Sequence, residues 1–189
     1  ESILSMHEFI QIIPLVGKVN ASIRPPGSKS ITNRALLIAA IAKGQSELIG
    51  ALESDDTRVM IDSLHRLGVP VQVDHGSQTI SLVGCEGNFP VKKASLFVDN
   101  SGTTIRFLTS VLGIVGGDYR LDGVPRMRER PIGPLVNALQ SLGSGIVAES
   151  PNQSPPVTIR SPPVSAQRVR IRGDLSSQYL SGLLMAAPL

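Results

Sequence analysis

The sequence predicts an α/β fold of repeated βαβαββ units, and three observations carry that prediction. Stretches rich in β-branched residues and bounded by Gly or Pro alternate with apolar runs of helical length. The order strand, turn, apolar helix, strand, second helix, paired strands then recurs. The copies also keep register: Leu64, Leu67 and Gly68 match Leu139, Leu142 and Gly143 at an offset of 75 residues, Arg34 matches Arg106 at 72, and Gln178 lies a further 72 on. Repeats of one supersecondary unit set equivalent helices about a pseudo-axis, where equivalent N-termini can face one cleft.

Taken in order, residues 1–7 read as an unstructured lead, and residues 9–13 and 18–23 as strands separated by Pro14 and Gly17. Pro25, Pro26, Gly27 and Ser28 turn the chain into a first helix closed by Gly44. Its apolar residues run nearly all the way round, so it is expected to be covered on every side. Lys29 is read in the loop and Arg34 one turn into the helix. A strand over 47–51, an amphipathic helix from the cap Ser54 to Leu67 with Asp55 and Asp56 in its first turn, and a hairpin of 69–74 with 78–83 finish the first copy. The second copy has a strand over 96–98, a turn at Asp99 to Gly102, a helix over 103–115, a strand over 119–121, a basic turn, a helix over 132–142, and strands near 145–149 and 157–160. A third copy opens with a strand over 169–172 and an apolar helix over 179–187, then stops at Leu189, so the chain is expected not to be a complete protein. The expected division is residues 1–23 apart from a substrate-binding domain over 24–189, with copies at about 24–93, 94–165 and 166–189.

With 189 residues, 41% of them hydrophobic, the chain can bury a core. It lacks Trp and has 3% aromatics, which disfavours base stacking and ordinary nucleic-acid modules. The net charge of +3 comes from bases interspersed with acids, a pattern suited to small anionic ligands rather than to a polyanion. The single cysteine, Cys85, excludes a disulfide framework or a cysteine-based metal site and reads as inert in a reducing cytosol. The longest purely apolar run, residues 35–42, is far below the roughly 20 residues of a membrane span, and no signal pattern opens the chain. The expectation is a soluble, cytoplasmic protein.

The candidate chemistry sits at helix starts. Lys29 and Arg34 flank the first, where free amides, hydroxyls and two cations make an anion site whose usual occupant is phosphate. The plain alternative is capping by Ser28 or Ser30 beside two solvated cations. At the second start Gly102 is either a turn glycine or a place where backbone closely approaches a ligand. Ser176, Ser177 and Gln178 open the third, where the serines can equally be caps alone. Arg126, Arg128 and Arg130, just before Pro131, form either a solvated loop or a guanidinium clamp for an anion.

Four of these stretches, Pro26-Gly27-Ser28-Lys29-Ser30-Ile31-Thr32-Asn33-Arg34, Asn100-Ser101-Gly102-Thr103-Thr104-Ile105-Arg106, Arg126-Met127-Arg128-Glu129-Arg130-Pro131-Ile132 and Ser176-Ser177-Gln178-Tyr179-Leu180, resemble in order and spacing the signatures of the 5-enolpyruvylshikimate-3-phosphate synthases (3-phosphoshikimate 1-carboxyvinyltransferases). The resemblance implies an enolpyruvyl-transferase-like, inside-out α/β barrel with buried parallel helices, here truncated in its third repeat. It implies transfer of the enolpyruvyl group of phosphoenolpyruvate to the 5-hydroxyl of shikimate 3-phosphate, releasing phosphate, on the route to chorismate and the aromatic amino acids, with no metal or organic cofactor. Carried over residue by residue, Lys29 touches both substrates and is the catalytic candidate. Ser30 and Arg34 bind shikimate 3-phosphate, Ser176 and Ser177 hold its phosphate, the Gly102 backbone and Arg130 bind phosphoenolpyruvate, and Gln178 contacts both. Two phosphorylated carboxylates held side by side call for cations and helix N-termini.

The resemblance further implies that strands before about Arg24 pack with a C-terminal domain of the same enzyme, that two such domains close by hinge motion, and that the whole works as a monomer with neither nucleic acid nor membrane. It places the proton-shuttling aspartate and glutamate in that other half, so this fragment alone is expected to be inactive. Ser101, Thr104, Ile105 and Phe107 stand where the family commonly has Ala, Ala, Met and Pro, and Phe107 extends the apolar start of its helix. These departures bear on glyphosate, a family inhibitor expected to compete with phosphoenolpyruvate. Two other readings are weighed. A UDP-N-acetylglucosamine enolpyruvyl transferase shares the fold but typically carries a reactive cysteine before an Arg-Pro pair, and residues 122–130 have none. A catalytically inactive anion-binding module is the other.

Overall fold

Ser28 begins the first helix by accepting the Ile31 amide proton on its hydroxyl, which satisfies one of the orphan donors of the first turn. Helix α1 (Lys29–Ile41) therefore includes Lys29 as its first residue, one position earlier than the loop placement expected from the sequence. In the computed structural model, which describes residues 13–14, 16–23, 25–164 and 168–189, α1 is followed by β1 (Lys43–Ile49), α2 (Asp55–Arg66), β2 (Val71–Asp74) and β3 (Thr79–Cys85). These strands form an antiparallel sheet in the order β1-β3-β2, with Lys43 opposite Cys85 and Val71 opposite Leu82.

The second copy runs β4 (Lys93–Phe97), α3 (Gly102–Val115), β5 (Gly117–Asp122), α4 (Gly133–Ser141), β6 (Ile146–Ala148) and β7 (Val157–Ser161). Its sheet has the order β4-β5-β7-β6; β4 and β5 are parallel, as a helical crossover between them requires, and the other pairs are antiparallel. The order β5-β7-β6 repeats β1-β3-β2, so the two copies share these three strands, while β4 has no counterpart among the described residues of the first copy. Helix α5 (Ser177–Ala186) opens the third.

The centre of the fold is α3, in which 11 of 14 residues are buried. Around it Leu36, Leu37, Leu64, Leu108, Leu112, Tyr119 and Leu139 join one continuous core, each buried Leu worth roughly 2 kcal/mol of stability. Helix α5 lies close against α3 because Gly182 has no side chain: a Cβ there would collide with the Ser110 hydroxyl. No described helix is long and apolar enough to cross a membrane.

Three expectations change. Residues 18–23 form no strand, with Val19 and Ile23 68% and 87% exposed, and residues 169–172 form none either. β-Branched residues favour a strand where a pleated surface pairs with and covers them, and among the described residues nothing pairs with these. Most of the strand expected over 9–13 lies outside the described residues. Helix α1 is covered on one side only: Ile31 and Ile38 are 68% and 48% exposed, because α2, α3 and the first sheet all meet the opposite face.

Candidate functional site

The starts of α1, α2, α3 and α5 are each capped by a serine, Ser28, Ser54, Ser101 and Ser176. Buried Asn33 ties three of them together: its Nδ2 donates to Thr103 Oγ1 at 2.8 Å, and to Thr104 Oγ1 and the Asp56 carbonyl at 3.4 Å each. Ser101 and Thr104, hydroxyls where a small apolar residue would leave the network open, pair with each other at 2.7 Å. Thr104 Oγ1 then donates to the Asp56 carbonyl at 3.3 Å. A buried hydroxyl network is stable only when its members find partners, and this one fixes α1, α2 and α3 relative to one another.

Where these starts meet lies a cavity of about 510 Å³. Its wall carries Lys29 and Ser30 from α1, Asp55 and Asp56 from α2, the turn at residues 99–103, Arg106 from α3, Arg130, and Gln178 from α5. The N-terminal ends of the helices contribute partial positive charge there. A larger cavity, about 710 Å³, runs between α4 and residues 168–172 and contains none of the residues singled out from the sequence. Among the described residues no group of three or more His, Cys, Asp or Glu is placed to hold a metal ion.

The basic turn resolves into two structural arginines and one that faces the cavity. Buried Met127 anchors a 3-10 turn (Met127–Glu129). Arg126 pairs with Glu129, and Arg128 Nη2 lies 2.7 Å from Asp122 Oδ2. Burial works to raise the Asp122 carboxyl, but the Arg128 hydrogen bond, the Gly123 amide and the charges of Arg128 and Arg120 outweigh it and hold it below the usual range. Arg130 has no ion pair among the described residues. Its Nη1 lies 2.7 Å from the point a Gly102 Cβ would occupy, and Arg106 Nη1 lies 3.1 Å from the same point. Glycine at 102 thus lets two guanidinium groups approach the backbone from the cavity side.

Arg106 is held on two sides. Its guanidinium carbon sits 5.4 Å from the Tyr179 ring centroid, and its Nη1 donates to Gln178 Oε1 at 2.6 Å. The Tyr179 hydroxyl in turn donates to the Pro131 carbonyl at 2.6 Å, next to Arg130.

Of the residues proposed from the sequence, Lys29, Ser30, Gly102, Arg130 and Gln178 line the one cavity. Arg34 does not reach its wall. The guanidinium stacks 5.1 Å from the Phe107 ring centroid and donates to the Ser30 carbonyl at 3.0 Å. Ser176 accepts the Gln178 amide proton at 3.3 Å and Ser177 is exposed; both stand beside Gln178, outside the lining. From the sequence alone Asp55 and Asp56 are acids of a helix start. In the structure Asp56 Oδ2 is 2.9 Å from Lys29 Nζ, and Asp55 and Asp99 share the wall. The cavity therefore sets three cations against three carboxylates, where cations and helix ends alone had been expected. In the sequence Arg106 and Gln178 stand at a 72-residue offset, but their contact joins the fifth residue of α3 to the second of α5 and is not read from that offset.

A family model described as EPSP synthase (3-phosphoshikimate 1-carboxyvinyltransferase) matches residues 14–189. A Paraburkholderia phytofirmans protein named 3-phosphoshikimate 1-carboxyvinyltransferase is 47% identical over 183 residues, which are 96% of this chain and 42% of that protein. One of the same name from Bordetella avium is 52% identical over 164 residues, 87% of this chain and 37% of that protein. A solved EPSP synthase structure from Acinetobacter baumannii superposes with a TM-score of 0.73 at 25% identity, covering 85% of this chain and 36% of that one. The chain spans about two fifths of the length of the curated relatives it matches.

Proposed function

The chain belongs to the EPSP synthase (3-phosphoshikimate 1-carboxyvinyltransferase) family, and from that premise we propose that it works in the cytoplasm in transferring the enolpyruvyl group of phosphoenolpyruvate to the 5-hydroxyl of shikimate 3-phosphate. The observation that supports this most directly is the gathering of Lys29, Ser30, Gly102, Arg130 and Gln178 around one cavity at converging helix starts. Two phosphorylated carboxylates brought together repel, and a preformed set of cations and amide dipoles offsets that repulsion before the chemistry begins.

In this reading Lys29, at the start of α1 and paired with Asp56 of α2, touches both ligands. Ser30 and Arg34 take shikimate 3-phosphate, with Ser176 and Ser177 on its phosphate. Arg130 and the Gly102 backbone take phosphoenolpyruvate, and Gln178 spans the two. The three carboxylates on the wall set an electrostatic filter: a ligand must bring enough negative charge to engage the arginines yet place it away from Asp55, Asp56 and Asp99. Addition at C2 of phosphoenolpyruvate gives a tetrahedral intermediate whose loss of phosphate needs proton-shuttling groups, which this reading assigns to a second domain outside these residues.

The test is an NMR titration of the chain with shikimate 3-phosphate, with UDP-N-acetylglucosamine as control. Selective shifts at the starts of α1 and α5, lost in Lys29→Ala and Arg34→Ala, are expected. A dispersed spectrum that does not respond to shikimate 3-phosphate, or that responds equally to the control, overturns the reading.

A further inference from the structure

Arg106 is neither free to sweep through the cavity nor buried as a core cation. Its guanidinium lies over the Tyr179 ring, which is 1% exposed, while one Nη donates to the Gln178 carboxamide and Nε is buried without a partner. A planar cation seated on a fixed aromatic face loses little freedom on making a further hydrogen bond. Arg106 can therefore dictate where Gln178 points, and, with Arg130, it closes the space above Gly102.

We propose that Arg106 is a positioning residue for the cleft: seated on Tyr179, it fixes the Gln178 carboxamide that spans the two ligands. This rests on the reading of the cavity given above. The same arrangement occurs one copy earlier, where Arg34 lies over Phe107, so the stack is a feature of the repeat and not an accident of one side chain. In the first copy the stacked arginine donates to a backbone carbonyl of its own helix; in the second it donates across to the side chain of the next helix. That difference is what gives Arg106 leverage on a residue of the cavity wall.

Arg106→Lys in the intact protein keeps the charge but cannot lie flat on the ring and reach Gln178 together. Because Gln178 is read as spanning both ligands, the expected effect is a weakening of phosphoenolpyruvate and of shikimate 3-phosphate binding, each by about tenfold at most, as for one lost charge-assisted hydrogen bond. The Gln178 side-chain amide signals are expected to be distinct in the parent and to collapse in the variant toward those of a solvated glutamine. Because Arg106 acts through Gln178, the losses in Arg106→Lys and Gln178→Ala are not expected to add. Where Lys is not tolerated, Arg106→Met keeps an apolar stem on the ring and removes the donor, with the same outcome expected. Unchanged Gln178 signals overturn the inference, as do additive losses or affinities for both substrates that stay at the parent's level. If the parent binds neither substrate but its Gln178 signals still depend on Arg106, the proposed function fails and the positioning role stands.

Discussion

The guanidinium of Arg34 rests on the face of Phe107, 5.1 Å from the ring centroid, and Phe107 is fully buried. The arginine that the family resemblance assigns to shikimate 3-phosphate is thus oriented by a residue at which the chain departs from the common family pattern. Phe107→Leu is expected to cost about 1–2 kcal/mol in urea unfolding and to weaken shikimate 3-phosphate several-fold in a titration, while phosphoenolpyruvate binding holds. Equal weakening of both ligands would show that the ring serves packing alone.

Lys29 and Asp56 make an opposed pair of experiments. Their ion pair is half-exposed on the lysine side, so it contributes little to stability, and its weight falls on the cavity potential. Lys29→Ala is expected to reduce anion affinity at least about tenfold, and Asp56→Asn to raise it about threefold at low salt, with the gain fading as salt increases. Isothermal calorimetry at two ionic strengths reads both.

At Gly102 a methyl group would stand 2.7 Å from Arg130 Nη1 and 3.1 Å from Arg106 Nη1. Gly102→Ala is expected to fold with unchanged or slightly higher stability, since alanine favours helix at this first-turn position, and to bind phosphoenolpyruvate more weakly because both guanidinium groups must retreat. A melting curve with a phosphoenolpyruvate titration separates the two effects; a large loss of stability would contradict it.

Arg120 bridges Glu149 and Asp122 on the outer face of the second sheet. The Arg120 hydrogen bond, with that from Thr158, holds the Glu149 carboxyl below its usual range, and Asp122 is held down as well. A depressed carboxyl adds stability that is fully present above its unfolded pKa and is lost as pH falls through the folded one, so this contribution fades below about pH 4. Arg120→Met is expected to lower stability at neutral pH and to flatten the acid limb of a stability-against-pH curve, with Arg128 still guarding Asp122. An acid limb identical to the parent's would exclude Glu149 from that loss.

Asn33 is expected to be intolerant of charge. Its amide feeds Thr103, Thr104 and the Asp56 carbonyl from a fully buried position. Asn33→Asp removes the amide donor and buries a negative charge that faces the Asp56 carbonyl, and should cost about 3 kcal/mol or more in denaturant unfolding.

The copies, their helices and the second sheet were legible in the sequence because apolar period, serine caps and closing glycines agree with one another there, as at Ser54, Gly68 and Ser101. Residues 18–23 and 169–172 look equally strand-like, and what they lack among the described residues is a strand to pair with, which local composition does not encode. Within the basic turn, nothing near Arg126, Arg128 and Arg130 tells them apart: Asp122 at the end of β5 claims the second and Glu129 the first, which leaves the third to the cavity. The Lys29–Asp56 pair was hidden for the same reason, since it joins the starts of two helices.

Each stacked arginine leans on the aromatic residue of the following copy, Arg34 on Phe107 and Arg106 on Tyr179. The position equivalent to those rings in the first copy is Ala35, and the position equivalent to those arginines in the third is Gln178. A third handclasp of this kind has neither hand, so the series cannot close into a circle. A circle would offer identical berths and treat any two small anions alike. In the reading proposed above, the break gives the cleft two unlike sides, one for each of two ligands of similar charge.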